Sequence, residues 1–176
     1  MLLSAGCVFT DGKLILTGLQ KKYGKMLLSG IGGRKKPDDA SIHETAIRET
    51  IEEIFDIEPV DKQLIEDIID NIVPTNILES VEYVNYIYTM NDLENMINRC
   101  SHYIYPSGHI PANKFTGTIT RLYKIYPISI NDLIWTRNIH QNAEIKTLCL
   151  LPLENDFTID IYFKADVQQI ILSNNH

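Results

Sequence analysis

The chain has 176 residues, 44% of them hydrophobic and 22% charged, which predicts one folded domain over residues 1–176 with a sizeable core. Its formal net charge of -7 argues against a protein that holds long nucleic acids on a broad basic surface. No apolar run approaches the roughly 20 residues of a membrane span and the N-terminus has no basic leader, so we expect an intracellular, cytoplasmic protein without membrane contact.

The first third of the chain predicts three strands, a glycine loop and a helix. Two strands flank Asp11 and Gly12 in "AGCVFTDGKLILTGLQ", because this dipeptide suits a tight hairpin. A third strand, in "KMLLSGIGG", runs into the glycine loop. Ser41 followed by Glu44 matches a capping box, which predicts that the helix starts near residue 42.

The remaining elements alternate between helix and strand. "DKQLIEDIIDNIV" predicts a helix capped by Asp61, "VEYVNYIYTM" a strand and "NDLENMINR" a short helix. Residues 101–117 predict a loop. "ITRLYKIYPI" and "EIKTLCLLPL" predict strands separated by a polar loop containing "RNIHQNA", and "KADVQQIIL" predicts a closing helix. This order favours an α/β (α+β) sandwich with a mixed sheet.

The helix after residue 42 has two contrasting sides. At 100° per residue, three isoleucines fall together and three glutamates lie opposite them. They are Ile47, Ile51, Ile54 and Glu49, Glu52, Glu53. Carboxylates this close repel one another unless a cation lies between them, and their hard oxygens suit Mg²⁺ or Mn²⁺. The alternative is an ordinary solvated acidic face.

Around these glutamates, "GGRKKPDDASIHETAIRETIEEIF" resembles the signature of the Nudix hydrolases, GX5EX7REUXEEXGU, in which U is a bulky aliphatic residue. The REXXEE core is reproduced by Arg48, Glu49, Glu52 and Glu53. Four departures accompany it. Asp39 replaces a glutamate, eight residues instead of seven separate it from Arg48, Thr50 replaces the aliphatic residue, and Phe55 with Asp56 replace the final pair.

The resemblance implies a Nudix-type α/β/α sandwich that hydrolyses a nucleoside diphosphate linked to another moiety, with Mg²⁺ or Mn²⁺ as cofactor. It assigns the metal to Gly33, Glu49, Glu52 and Glu53. Arg48 would orient the glutamates, and the catalytic set would be Glu52, Glu53, Arg48 and Glu144. Glu144 is the candidate because many members use an acidic residue before a late strand. An ordinary loop glutamate is the other interpretation of it, and Glu79 and Glu82 are weaker competitors.

The basic cluster beside the glutamates predicts contact with substrate phosphates. It consists of Arg34, Lys35 and Lys36. "SGIGGRKK" resembles the GFGGK stretch of oxidised-purine triphosphatases, which favours a nucleoside triphosphate or related small nucleotide. Two alternatives stay open: decapping of capped RNA, to which the acidic net charge is an objection, and a Nudix-fold binding module without catalysis.

Other polar and aromatic residues predict less. The histidines show no metal-ligand spacing, and we expect surface or locally bonded side chains at His43, His102, His109 and His140. Three aromatic side chains could stack on a base but are more typical of a core: Trp135, Phe115 and Tyr123.

Overall fold

A computed structural model describes residues 4–22, 24–55, 57–104, 129–139, 145, 147–153 and 161–174. Its strands are β1 (Ser4–Phe9), β2 (Leu14–Lys22), β3 (Lys25–Ser29), β4 (Ile31–Arg34), β5 (Asn76–Glu79), β6 (Tyr83–Tyr88) and β7 (Thr147–Pro152). Its helices are α1 (Ile42–Phe55), α2 (Lys62–Asn71), α3 (Met90–Ile104), α4 (Ile130–Ile139) and α5 (Ile161–Asn174).

The strands form two sheets. The larger has the order β4-β1-β6-β5, with β1 antiparallel to β4 and parallel to β6. The smaller has the order β3-β2-β7 and is antiparallel. The predicted mixed sheet is therefore confirmed in the larger sheet, where β1 is central and β4 and β5 are the outer strands.

Strand β1 contacts helices on both faces of the larger sheet. Its side chains alternate in direction, so successive residues point to opposite faces. Cys7 and Phe9 belong to the core cluster that contains the fully buried isoleucines of α1, Ile47, Ile51 and Ile54. Val8 points the other way and belongs to a second cluster with Phe163 of α5. The predicted α/β/α sandwich is confirmed. Burying each of these large side chains contributes about 1.5–3 kcal/mol to folding, so the apolar side of α1 is held firmly.

The predicted hairpin at Asp11 and Gly12 is wrong beyond the turn itself. The Asp11 carboxylate accepts hydrogen bonds from the amides of Lys13 and Leu14, at 2.8 and 2.6 Å, and Gly12 adopts a positive φ of 84°. Only the bridge between Thr10 and Ile15 continues the pairing. The two strands then separate, because β1 pairs within the larger sheet and β2 within the smaller.

Four other boundaries differ from the sequence prediction. The glycine loop is strand β4, paired with β1, and the short strand β5 was not predicted. Residues 101–104 belong to α3 instead of the predicted loop, whose remaining residues 105–117 lie outside the described residues. The whole of α4 lies where the sequence predicts a polar loop between two strands. The strand predicted in "ITRLYKIYPI" lies outside the described residues. The helix start at residue 42, the Asp61 cap and the closing helix are confirmed.

In the ranges that the structure describes, no helix combines the length and the apolar character needed to cross a membrane.

The first turn of α1 predicts a pH-dependent stability. The His43 ring stacks on Tyr86 with a centroid distance of 4.1 Å, and its Nε2 lies 2.7 Å from the Tyr88 hydroxyl oxygen. Burial lowers the pKa of His43 below its ordinary value of about 6.5. Since folding favours the neutral imidazole, its contribution is complete above about pH 6.5 and is lost as the pH falls through the lower folded-state pKa. Urea unfolding from pH 7.5 to 5 should show this loss.

The matched variant is His43→Gln, which keeps a polar side chain that does not titrate. Its free energy of unfolding should change less with pH across this window than that of the wild type. Equal pH dependence in the two proteins would remove His43 as the cause.

Candidate active site

A buried ion pair ties the loop before α1 to the helix. Arg48 donates from Nε to Asp39 Oδ1 at 2.9 Å and from Nη2 to Asp39 Oδ2 at 3.0 Å. The same carboxylate accepts from the Lys36 amide at 2.8 Å and the Thr45 hydroxyl at 2.9 Å. Each partner of the pair is 6% exposed. The Asp39 carboxylate thus joins the loop before α1 to two side chains of the helix.

The protonation states of this pair are fixed by their hydrogen bonds. Burial raises the pKa of Asp39, but the hydrogen bonds from Arg48, the Lys36 amide and Thr45 outweigh burial and lower that pKa to about 2. Burial also lowers the pKa of Arg48, yet its bonds to Asp39 and Glu49 outweigh this and raise it. Both groups stay ionised near neutrality. The stability from Asp39 is present above about pH 3.8 and is lost as the pH falls towards 2.

The free edge of the same guanidinium faces two of the glutamates. Arg48 Nη1 lies 2.7 Å from Glu49 Oε1 and 2.8 Å from Glu52 Oε2. Its Nη2 also donates to the Arg34 carbonyl at 2.9 Å, which connects α1 to strand β4. Burial raises the pKa of Glu49, and Arg48 opposes that rise. One buried cation therefore gathers two carboxylates on the side of α1 next to β4.

The glycines of β4 allow the backbone to approach these carboxylates. The Gly32 amide, on a residue with φ of 151°, donates to Glu53 Oε2 at 2.8 Å. A Cβ on Gly33 would overlap the Glu49 carboxylate, so a side chain there would force that carboxylate to move away from its place beside Arg48. Glu53 is only 8% exposed, in contrast to the solvent-facing position that the helical period predicts, because β4 runs beside this part of the helix.

The three predicted phosphate-binding residues are exposed, and two of their side chains contact the protein. Lys36 Nζ lies 2.9 Å from Glu52 Oε1 and 3.3 Å from Oε2. Lys35 Nζ donates to the Asp39 carbonyl. Arg34 accepts the Arg48 bond through its backbone and leaves its side chain exposed. Lys36 is thus the member of the cluster that contacts one of the three glutamates.

The donor set suits a hard divalent cation in kind. Carboxylate oxygens of Glu49, Glu52 and Glu53 lie on one side of α1, and the missing side chain at Gly33 leaves backbone next to Glu49. As the side chains stand, no three acidic, histidine or cysteine groups among the described residues converge on one point. The reason is visible in two contacts: Glu52 is turned to Lys36 and Glu53 to the Gly32 amide.

The other predicted acidic residues are Glu144, Glu79 and Glu82. Glu144 is outside the described residues. Glu79 is exposed on β5, at the edge of the larger sheet opposite β4, so the structure does not bring it to the α1 glutamates. Glu82 is exposed and precedes β6, and its carbonyl accepts the amide of Ser4 on the neighbouring strand β1 at 3.1 Å. A surface groove of about 810 Å³ between α2 and α3 also contains none of the predicted site residues.

The predicted histidines and aromatics contribute no group to the site among the described residues. His43 is locally bonded to Tyr88, as expected, and the exposed His102 has its Nδ1 2.7 Å from the Asn98 carbonyl. Trp135, on α4, is 64% exposed and is not a core residue. The rest lie outside the described residues: His109, Phe115, Tyr123 and His140. The sequence analysis did not identify Thr45, whose hydroxyl donates to Asp39. The one feature of the sequence that could have indicated it is its position on α1, one turn before Arg48.

No protein-family model matches the chain, and no curated protein matches its sequence. Solved structures of Nudix hydrolases are similar to it. A NUDIX-family hydrolase from Clostridium perfringens is 14% identical with a TM-score of 0.41, and the match covers 98% of both chains. A NUDIX hydrolase from Nitrosomonas europaea is 17% identical with a TM-score of 0.32, over 51% of this chain and 57% of that one.

A bifunctional NMN adenylyltransferase/ADP ribose pyrophosphatase from Francisella tularensis is 16% identical with a TM-score of 0.33. That match covers 51% of this chain and only 27% of the other. Similarities this distant concern the fold in outline. What the chain does has to be inferred from the contacts of its own residues.

Proposed function

We propose that the chain is a Nudix-type, Mg²⁺- or Mn²⁺-dependent pyrophosphohydrolase that cleaves a nucleoside diphosphate linked to another moiety, acting as one domain in the cytoplasm. The observation that supports it is the position of the Arg48 guanidinium between two sets of carboxylates. It is paired with the buried Asp39 on one side and contacts Glu49 and Glu52 on the other. Such an anchored guanidinium fixes the direction of carboxylates that would otherwise repel one another. A merely solvated acidic face needs no buried ion pair beneath it.

The proposed roles follow from position. Glu49, Glu52 and Glu53 would hold the metal, with the Gly33 carbonyl beside them, and Arg48 would orient the first two. The metal would supply charge neutralisation at the phosphates and activation of water. The protein's own task would be to hold these oxygens in position for the metal and the substrate. The Asp39–Arg48 pair supports this role for Glu49 and Glu52, which Arg48 contacts without any ligand present.

The preferred substrate class is a small nucleotide, such as a nucleoside triphosphate. The exposed cations next to the glutamates are three consecutive residues, Arg34, Lys35 and Lys36, enough to meet a diphosphate. The net charge of -7 opposes the body of an RNA chain. Decapping of capped RNA is thus the second candidate, and a binding module without catalysis is the third.

A substrate panel with and without Mg²⁺ tests the proposal. After EDTA treatment and dialysis, the protein should be inactive, and Mg²⁺ or Mn²⁺ should restore cleavage within a pyrophosphate because the developing charge needs a counter-ion. The panel comprises 8-oxo and normal nucleoside triphosphates, ADP-ribose, diadenosine polyphosphates and cap-labelled RNA, with products resolved by chromatography. We expect a nucleoside monophosphate and the remaining fragment from a small nucleotide.

Three results would change the conclusion in different ways. Release of m7GDP from capped RNA, faster than cleavage of every free nucleotide, would establish decapping instead. Binding of a nucleotide without cleavage of any substrate, with metal present, would favour the binding module. Full activity after exhaustive EDTA treatment would contradict the metal-dependent mechanism.

A further inference from the structure

Lys36 forms an ion pair with Glu52, one of the glutamates that the proposed function assigns to the metal. Its ammonium lies 2.9 and 3.3 Å from the two Glu52 oxygens, so it faces the whole carboxylate. The backbone of Lys36 is held in place, because its amide donates to Asp39 Oδ2 at 2.8 Å. The buried carboxylate that anchors Arg48 thus also fixes the point from which Lys36 reaches Glu52.

Glu52 therefore carries two cations of different character. The first, Arg48, is buried and held from behind by Asp39, so it cannot leave without breaking a buried pair. The second, Lys36, has 47% of its side chain exposed and contacts Glu52 from the solvent side. An ammonium on a flexible stem is a compact, readily hydrated charge, so Lys36 is the cation that can be exchanged.

We propose that Lys36 is an internal counter-ion that competes with the divalent metal for Glu52. The inference rests on the proposed function, since it takes Glu52 as a metal ligand. When the metal binds Glu52, the ammonium is displaced and its charge becomes available beside the site, where the phosphates of a nucleotide would lie. Lys36 thus neutralises Glu52 in the metal-free protein and serves as a phosphate contact in the metal-bound one.

The size of the effect follows from the exposure of the pair. Exposed lysine–carboxylate pairs shift an equilibrium by up to about fivefold, because water screens them and the lysine loses conformational freedom. Removing the competitor should therefore tighten metal binding by about two- to fivefold. The direction is diagnostic, because a lysine that supports the metal site would give weaker binding when removed.

Mn²⁺ binding measured by electron paramagnetic resonance of the free ion tests this without substrate turnover. The variants are Lys36→Gln, Lys36→Arg and Lys35→Gln, each compared with the wild type in low-salt buffer. Lys35→Gln is the matched control, because it removes the same charge from the next residue, whose Nζ contacts the Asp39 carbonyl and not Glu52. We expect tighter binding for Lys36→Gln, a smaller change for Lys35→Gln, and near wild-type affinity for Lys36→Arg.

The outcomes separate this inference from the proposed function. Glutamate-dependent Mn²⁺ binding, abolished by Glu52→Gln but equal in wild type and Lys36→Gln, would overturn the competition and leave the metal site standing. Weaker binding by Lys36→Gln would also overturn it. An equal increase in Mn²⁺ affinity in Lys36→Gln and Lys35→Gln would show that the effect comes from net charge, and would refute a specific role of the Lys36–Glu52 contact. Absence of Mn²⁺ binding in every variant would refute the competition and the metal-dependent function together.

Discussion

Glu52→Gln and Glu53→Gln should each lower kcat by at least about 10²- to 10³-fold while the protein remains folded. Each substitution removes a charge that we assign to the metal, and loss of one group that stabilises developing charge has effects of this order. The side chain keeps its length and one oxygen. The measurement is turnover of the best nucleotide from the panel at saturating Mg²⁺, with circular dichroism to verify the fold.

The stability of these variants should fall slightly. From the spacing of the three glutamates alone, removing one charge should relieve repulsion and raise stability. In the structure, however, Glu52 lies between the cations Arg48 and Lys36. Loss of these partners outweighs the relief of repulsion, so we expect a decrease of about 1 kcal/mol in the free energy of unfolding for Glu52→Gln. Glu53→Gln keeps an oxygen that can accept the Gly32 amide, so its core contact survives.

The matched control is Glu79→Gln on β5, an exposed glutamate at the other edge of the larger sheet. Its activity and stability should equal those of the wild type. Wild-type turnover by either α1 variant would disprove the assignment of these glutamates.

Helix α1 shows how far local sequence rules reach. Ser41 accepts the Glu44 amide at 3.0 Å, so the start of the helix could be predicted from a four-residue pattern. Only half of the capping box forms, because Glu44 accepts from the Ala40 amide at 2.7 Å and not from Ser41. The isoleucine period likewise predicted the buried side. Helical geometry is set by neighbouring residues, which a sequence displays directly.

Strand β4 and helix α4 show where those rules fail. Gly32 and Gly33 have low strand propensity, and only pairing with β1, nearly thirty residues away, makes them a strand. The apolar residues of α4 have little helical periodicity, so its signal was its cap: the Ser129 amide and hydroxyl contact Asp132, whose amide donates back to Ser129. Thr89 and Asp92 repeat this pattern at the start of α3. The capping pattern marks the start of each helix, but in α4 no apolar period accompanies it, and the sequence therefore predicted a loop there.

The Asp39–Arg48 pair required tertiary structure. The motif places an acid near this position, yet with one extra residue the alignment alone leaves its partner uncertain. In the structure the Asp39 amide donates to the Lys36 carbonyl at 3.1 Å, and this turn presents the Asp39 carboxylate to Arg48. The burial of Glu53 could not be predicted from the helical period either. The period distinguishes the apolar side of α1 from its polar side, but it does not show that another element covers part of the polar side.

Arg48→Met should destabilise the protein by about 3–5 kcal/mol, the largest stability effect that we expect in this site. The substitution leaves Asp39, 6% exposed, as a buried carboxylate without a cation, and removing one partner of a buried pair has this cost. Glu49 and Glu52 also lose the nitrogen that they share. The measurement is the free energy of unfolding in urea at pH 7, where Asp39 is ionised in the wild type.

A double-mutant cycle separates the unpaired charge from a simple loss of packing. Asp39→Asn removes the charge and retains an oxygen for the Lys36 amide, so the double variant Arg48→Met/Asp39→Asn should be more stable than Arg48→Met alone. Arg48→Lys should fall between wild type and Arg48→Met, because an ammonium keeps the charge but cannot reach Asp39 and both glutamates at once. If the double variant were less stable than Arg48→Met by the full cost of Asp39→Asn, the two residues would be energetically independent. The buried pair would then not be what holds the glutamates in place, and the central support for the proposed active site would be lost.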